Sequence, residues 1–152
     1  MRRALEKFTD AKIMQEAASR LAKQYGAISV NGTQIEFHDT PRPPESVIAA
    51  ARDGAIHALN AALIKDVCLM RIVAVTKDTF TEINMLAHVT SLRVKGESNE
   101  HTDIVMWQSI AEWIAATQAA CRVLIENDDP TYKDSGRWPK PPDGARDFAN
   151  RF

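Results

Sequence analysis

Residues 44–65 read PESVIAAARDGAIHALNAALIK. Small residues recur there at every fourth position: Ala50, Gly54, Ala58 and Ala62. On a helix of 3.6 residues per turn this spacing leaves one edge almost bare of side chain, an edge that another helix can approach closely. Pro44 and Glu45 suit a helix start, because proline lacks only a donor that the first turn leaves unpaired and an acid there meets the positive end of the dipole. The stretch therefore predicts a helix, and with it a mainly α fold. The apolar string at 67–75, VCLMRIVAV, is compatible with a continuation of this helix or with a buried strand. Its β-branched content favours strand, whereas continuity and Met70-Arg71 favour helix; helix is the expectation.

Upstream, Met14, Ala18, Leu21 and Tyr25 recur at three and four residues, and Gly26 is a natural terminator. A helix is expected to end near Tyr25, with Thr9-Asp10 as a candidate N-cap. Residues 28–37, ISVNGTQIEF, place Asn31-Gly32 between two short β-prone runs, which predicts a hairpin with those two residues at the centre of a type I′ turn. The connector at 38–44, HDTPRPP, is stiffened by its prolines.

Downstream, Thr79 and Glu82 match a capping box opening a helix at about 80–95 with Ile83, Leu86, Ala87 and Val94 on one face, closed by Gly96. A last long helix carries Ile104, Trp107, Ile110, Ile114, Thr117, Cys121 and Leu124 and stops before Pro130. Trp113 is displaced from Trp107 by six residues and is expected to point elsewhere, as an interface anchor or in a second packed face. The expected architecture is an antiparallel bundle of about four helices, with a small β-hairpin insert at 28–37 and an extended Pro-rich C-terminal arm. The corresponding divisions are 1–129 and 130–152. In the arm, Pro130, Pro139, Pro141 and Pro142 forbid a long helix, while Tyr132, Trp138, Phe148 and Phe152 supply aromatic anchors that dock into grooves of the same chain or of a neighbour.

Composition sets outer bounds. The 152 residues are 45% hydrophobic and 26% charged, enough for one real core without metal or disulfide help. No apolar run reaches the length of a membrane span, and MRRALEKF lacks the apolar stretch of a secretory signal. Cys68 and Cys121 are far apart in sequence and form no C-x-x-C pair, so reduced core thiols in a cytoplasmic setting are expected. The net charge of −1 is unevenly distributed. Residues 1–25 carry six basic and three acidic side chains, whereas 97–129 carry seven acids against Arg122 alone. That acidic segment argues against a nucleic-acid footprint there and suits a solvated face or a basic partner.

Arg52 and His57 are the sharpest catalytic candidates. A histidine near neutral pKa can move the proton of a ribose 2′-hydroxyl, and an arginine can hold developing phosphate charge. The string RDGAIH resembles the R-D-x-x-x-H form of the motif of HEPN-type ribonucleases. That resemblance implies a helical bundle whose copies pair, with arginine and histidine meeting at a shared cleft to cleave RNA without metal. The match covers six residues and the fold class, falls early in the chain, and has Leu59 where many members have tyrosine. Five residues separate the pair, about 500° around a helix, so activity would need a second subunit.

Two polar clusters carry mixed metal-ligand types, Glu36 with His38 and Asp39, and Glu97 with Glu100, His101 and Asp103. Neither has a second histidine or an i, i+4 ligand pair, and no metal or other cofactor is expected. Phosphate-binding glycine loops and a G-x-S-x-G elbow are absent from the sequence. The first helix with its hairpin resembles a helix-plus-wing DNA reader bearing Arg20 and Lys23, but only a short lead precedes Asp10 where such a fold needs another helix.

The sequence thus points to a non-enzymatic interaction or assembly subunit of the accessory kind found in bacteria or phage. It is expected to be cytoplasmic, to contact no membrane, and to pair with itself or a protein partner. The expected interface residues are Ala50, Gly54, Ala58, Trp113, Tyr132, Trp138, Phe148 and Phe152. The alternative is the metal-independent ribonuclease acting through Arg52 and His57, with RNA as its partner.

Overall fold

The structure is a computed structural model that describes residues 10–31, 34–38 and 41–152. It is mainly helical, with five α-helices and one two-stranded antiparallel hairpin among the described residues. In chain order these are α1 (Asp10–Tyr25), β1 (Ile28–Asn31), β2 (Gln34–Phe37), α2 (Glu45–Thr76), α3 (Thr79–Val94), α4 (Thr102–Glu126) and α5 (Ala145–Ala149), with a 3₁₀ turn at Ser135–Arg137 before α5. The chain separates into two compact units whose boundary falls between Leu63 and Ile64, inside α2.

In the first unit, α1 buries Ile13, Met14, Ala17, Ala18 and Leu21 and ends at Gly26, whose φ of 78° suits glycine. The Thr9-Asp10 cap lies outside the described residues, apart from the Asp10 backbone. The hairpin register pairs Ile28 with Phe37, Ser29 with Glu36, Val30 with Ile35 and Asn31 with Gln34. Asn31 is therefore a paired strand residue and not, as expected, one of the two central turn residues; residues 32–33 lie outside the described chain. The hairpin does not stand alone, because α1 contacts both strands and Tyr25 meets Phe37 edge-on at a centroid distance of 6.3 Å. Ile13, Ala17 and Ala55 form the buried centre, with Ile35, Ala51, Ile56 and Leu59 packed around it.

The string at 67–75 is helical, so α2 runs unbroken to Thr76. Strand propensity loses here because one side of the string is buried at helical spacing: Ile64, Cys68, Ile72 and Val75. The chain then reverses within two residues, through Lys77 at a φ of 66°. Asp78, and not Thr79, is the N-cap of α3; its carboxylate accepts from the Thr81 amide at 2.7 Å. Glu82 does not reach back to close a capping box and instead accepts from the Thr76 hydroxyl at 2.9 Å.

In the second unit α3 contacts α4, and α5 contacts both. Residues 130–152, expected as an extended arm that docks on the same chain or on a neighbour, cluster with this unit. They fold into the 3₁₀ turn and α5, and bury Tyr132, Trp138, Ala145, Phe148 and Ala149. On α4 the buried residues are Ile104, Ile110, Trp113, Thr117, Cys121 and Leu124. Trp113 thus sits on the core stripe while Trp107 lies at its edge. At about 100° per residue Trp113 is only about 40° from Thr117, whereas Trp107 is about 80° away. Of the two expected places for Trp113, the packed one holds, against the segment that carries Pro139.

Candidate functional site

The small-residue ladder is less enclosed than its spacing predicts. Ala50 and Ala62 are exposed, and Gly54 and Ala58 are half-buried. What lies against Gly54 is a side chain: a Cβ added there would stand 3.1 Å from Nη1 of Arg20. The neighbouring edge, with Ala51 and Ala55, faces the core instead. Arg52 and His57 are both exposed on α2 within the first unit.

No group of three His, Cys, Asp or Glu side chains able to hold a metal occurs among the described residues. In the first polar cluster Asp39 lies outside the described chain, and His38 Nε2 and the Ser29 hydroxyl share a 2.8 Å hydrogen bond. In the second, His101 caps α4 by accepting from the Asp103 amide at 3.2 Å. The Asp103 carboxylate is taken by His88 at 2.8 Å and by Arg151. The Arg151 hydrogen bonds, aided by those of His88, hold the Asp103 carboxyl well below the usual carboxylate range.

The aromatic anchors expected at an interface are mostly spent within the second unit. Trp113 donates its indole N–H to the Pro139 carbonyl at 3.1 Å, and Trp138 donates to the Tyr132 carbonyl at 2.6 Å. Phe148 packs edge-on against Phe152, whose ring also lies 5.2 Å from that of His88. Phe152 alone of these stays half-buried. Two facts explain the inward turn: proline restriction lowers the entropy cost of ordering the segment, and each buried indole finds a backbone acceptor.

Exposed large apolar side chains gather on α3, with others at Leu69, Met70 and Val73 of α2 and at Val105 and Val123 of α4. Met85, Val89 and Thr81 face inward, and the face that carries Ile83, Leu86, Ala87 and Val94 is exposed. Phe80 is 77% exposed, Ile83 55%, Leu86 48% and Val94 83%. Phe80, Ile83, Ala87, Thr90 and Val94 follow one another at three, four, three and four residues, the spacing of a coiled-coil seam. The stripe is about 21 Å long at 1.5 Å per residue. It carries no charge. Glu82 in the first turn and Arg93 in the last are the only Asp, Glu, Lys or Arg residues of the helix, and both lie on the same flank of the stripe, about 100–120° from its centre. Asp103 draws His88 to the inner side, and a helix with two competing apolar faces gives no signal of which one is covered.

Comparison of the chain with protein-family models, with curated proteins and with solved structures found no match. No described helix is long and apolar enough to cross a membrane.

Proposed function

We propose that this protein is a non-enzymatic assembly subunit that pairs with a second copy of itself through α3. The observation that carries the reading is the uncharged, seam-spaced stripe from Phe80 to Val94, left open on a helix whose other side is buried. Contiguous apolar patches of this kind on a folded surface mark interaction sites.

The stripe is complementary to itself. Two copies of α3 laid antiparallel about a two-fold axis at Ala87 set Phe80 of one protomer against Val94 of its partner, and Ile83 against Thr90. The small side chain at the axis permits close approach there. The same two-fold brings Glu82 on one flank toward the second copy's Arg93, at both ends of the contact, as an isologous interface requires. A parallel two-fold would put the two copies' charged flanks on opposite sides of the seam, where Glu82 and Arg93 do not meet. The short connections at 77–78 and 95–101 favour antiparallel neighbours within each copy as well, so an antiparallel helical bundle is part of this proposal.

Sedimentation over a range of concentrations tests it. The native chain is expected to sediment as a dimer, and Ile83→Glu as a monomer with unchanged helicity, because the substituted position is solvent-facing. A native chain that stays monomeric at high concentration, or an Ile83→Glu variant that still dimerises, overturns the reading.

A further inference from the structure

We infer that the second unit carries a binding cleft for a small organic acid with an apolar body and a single carboxylate. The cleft has a volume of about 330 Å³ and is lined by α2, α4 and the C-terminal segment. That is at the small end of the range for ligand pockets. Val67, Trp113, Pro139 and Pro141 supply apolar walls, and Arg71 and Arg146 supply two guanidinium groups. No acidic residue lines the cleft. Among the described residues neither arginine is ion-paired with a carboxylate.

Arg71 is the informative group. Its guanidinium carbon lies 5.2 Å from the centre of the Trp138 ring, so the indole face supports it. Its Nε is buried and has no hydrogen-bond partner among the described residues. Buried donors are almost always satisfied, and an unpaired one is costly. The indole face restrains the guanidinium, whose planar fork of N–H donors matches a carboxylate in shape as well as charge. Arg146 adds a second positive charge from α5 at the same cleft. The lining is more apolar than polar, so the favoured occupant pairs its charge with an apolar body. This inference does not depend on the α3 pairing.

The test is a titration with 3-phenylpropionate followed by tryptophan fluorescence, since Trp113 lines the cleft and Trp138 supports Arg71. A saturable change is expected. The uncharged analogue 3-phenylpropan-1-ol should bind weaker by about tenfold or more, as should Arg146→Gln and Arg71→Met toward the acid. Arg146 is exposed, so its variant keeps the fold if the half-buried Arg71 variant does not. Arg122→Gln, at an exposed position on α4 outside the cleft, should bind as the native chain does. The inference is overturned by no saturable response up to roughly 10 mM acid, by equal affinity for the alcohol, or by an Arg146→Gln variant that binds as well as the native chain.

Discussion

Arg151 grips both carboxylate oxygens of Asp103 at 2.7 Å, a bidentate pair between residues 48 positions apart. It ties the chain beyond α5 to the first turn of α4, and the guanidinium also lies over the rings of Phe148 and Phe152. Asp103 titrates below an ordinary carboxylate, so the unfolded chain binds its proton first. The stability this supplies is complete above the unfolded value, about 4, and is lost as pH falls from there toward the depressed folded value. Urea midpoints between neutral and acid pH should drop more steeply below about pH 4 in the native chain than in Arg151→Ala. At neutral pH the variant should melt a few degrees lower, the effect being limited by the half-exposed guanidinium. Parallel acid profiles would show that the pair contributes nothing.

The cap of α3 separates two neighbouring residues that the sequence does not distinguish. Asp78→Ala removes the side-chain acceptor of the Thr81 amide and is expected to lower the thermal midpoint by a few degrees. Thr79→Ala should leave it nearly unchanged, since Thr79 is already the first helical residue. The opposite ranking in thermal melts would restore the Thr79 cap.

Gly54→Ala tests how closely the small-residue ladder is approached. The new methyl meets only the flexible tip of Arg20, at 3.1 Å. Helix propensity should then prevail and stabilise the chain by about 0.5–1 kcal/mol, measured by urea unfolding. A destabilisation of that size would mean that backbone contact, and not a yielding guanidinium, sets the spacing there.

Both cysteines are buried free thiols, and Cys68 Sγ lies 3.9 Å from the Thr117 carbonyl. Burial, with the neighbouring Cys121 second, pushes the Cys68 thiol from about 9 up to about 11. Because the thiolate is the nucleophile, iodoacetamide at pH 8 should label Cys68 far more slowly in the folded chain than in urea. The folded chain keeps a proton that the unfolded chain releases, so this group's contribution to stability should fade as pH rises from about 9 through about 11. Equal labelling rates in the two states would contradict it.

How much of this was legible depended on whether a signal was local. Gly26 and Gly96, the α1 stripe and the alternating runs at 28–37 each act within a few residues, and the elements they predict are present. The helix over 67–75 was correctly preferred on continuity. The features left open have a different cause. Which face of α3 is covered, whether Trp113 joins the core, and whether 130–152 folds back all depend on contacts with residues tens of positions away. Asp103 with Arg151 and Trp113 with Pro139 are such contacts, and no window of sequence contains both partners. The cleft arginines were missed for the same reason. Arg71 sits unremarkably in an apolar helix, and only its Trp138 support and unpaired Nε set it apart.

The two-residue reversal after α2 has a consequence for how this chain can change. Lys77 holds a left-handed backbone at a cost of about 1 kcal/mol that glycine would not incur. Its own amide donates to the Val73 carbonyl, and the next amide, of Asp78, donates to that of Thr76. A proline at 77 is therefore forbidden twice over, by the sign of φ and by the lost donor, whereas glycine or asparagine is admitted. Among sequences that keep this corner, position 77 should vary freely in charge and size yet exclude proline and β-branched residues, a restriction written in backbone geometry rather than in any side-chain contact.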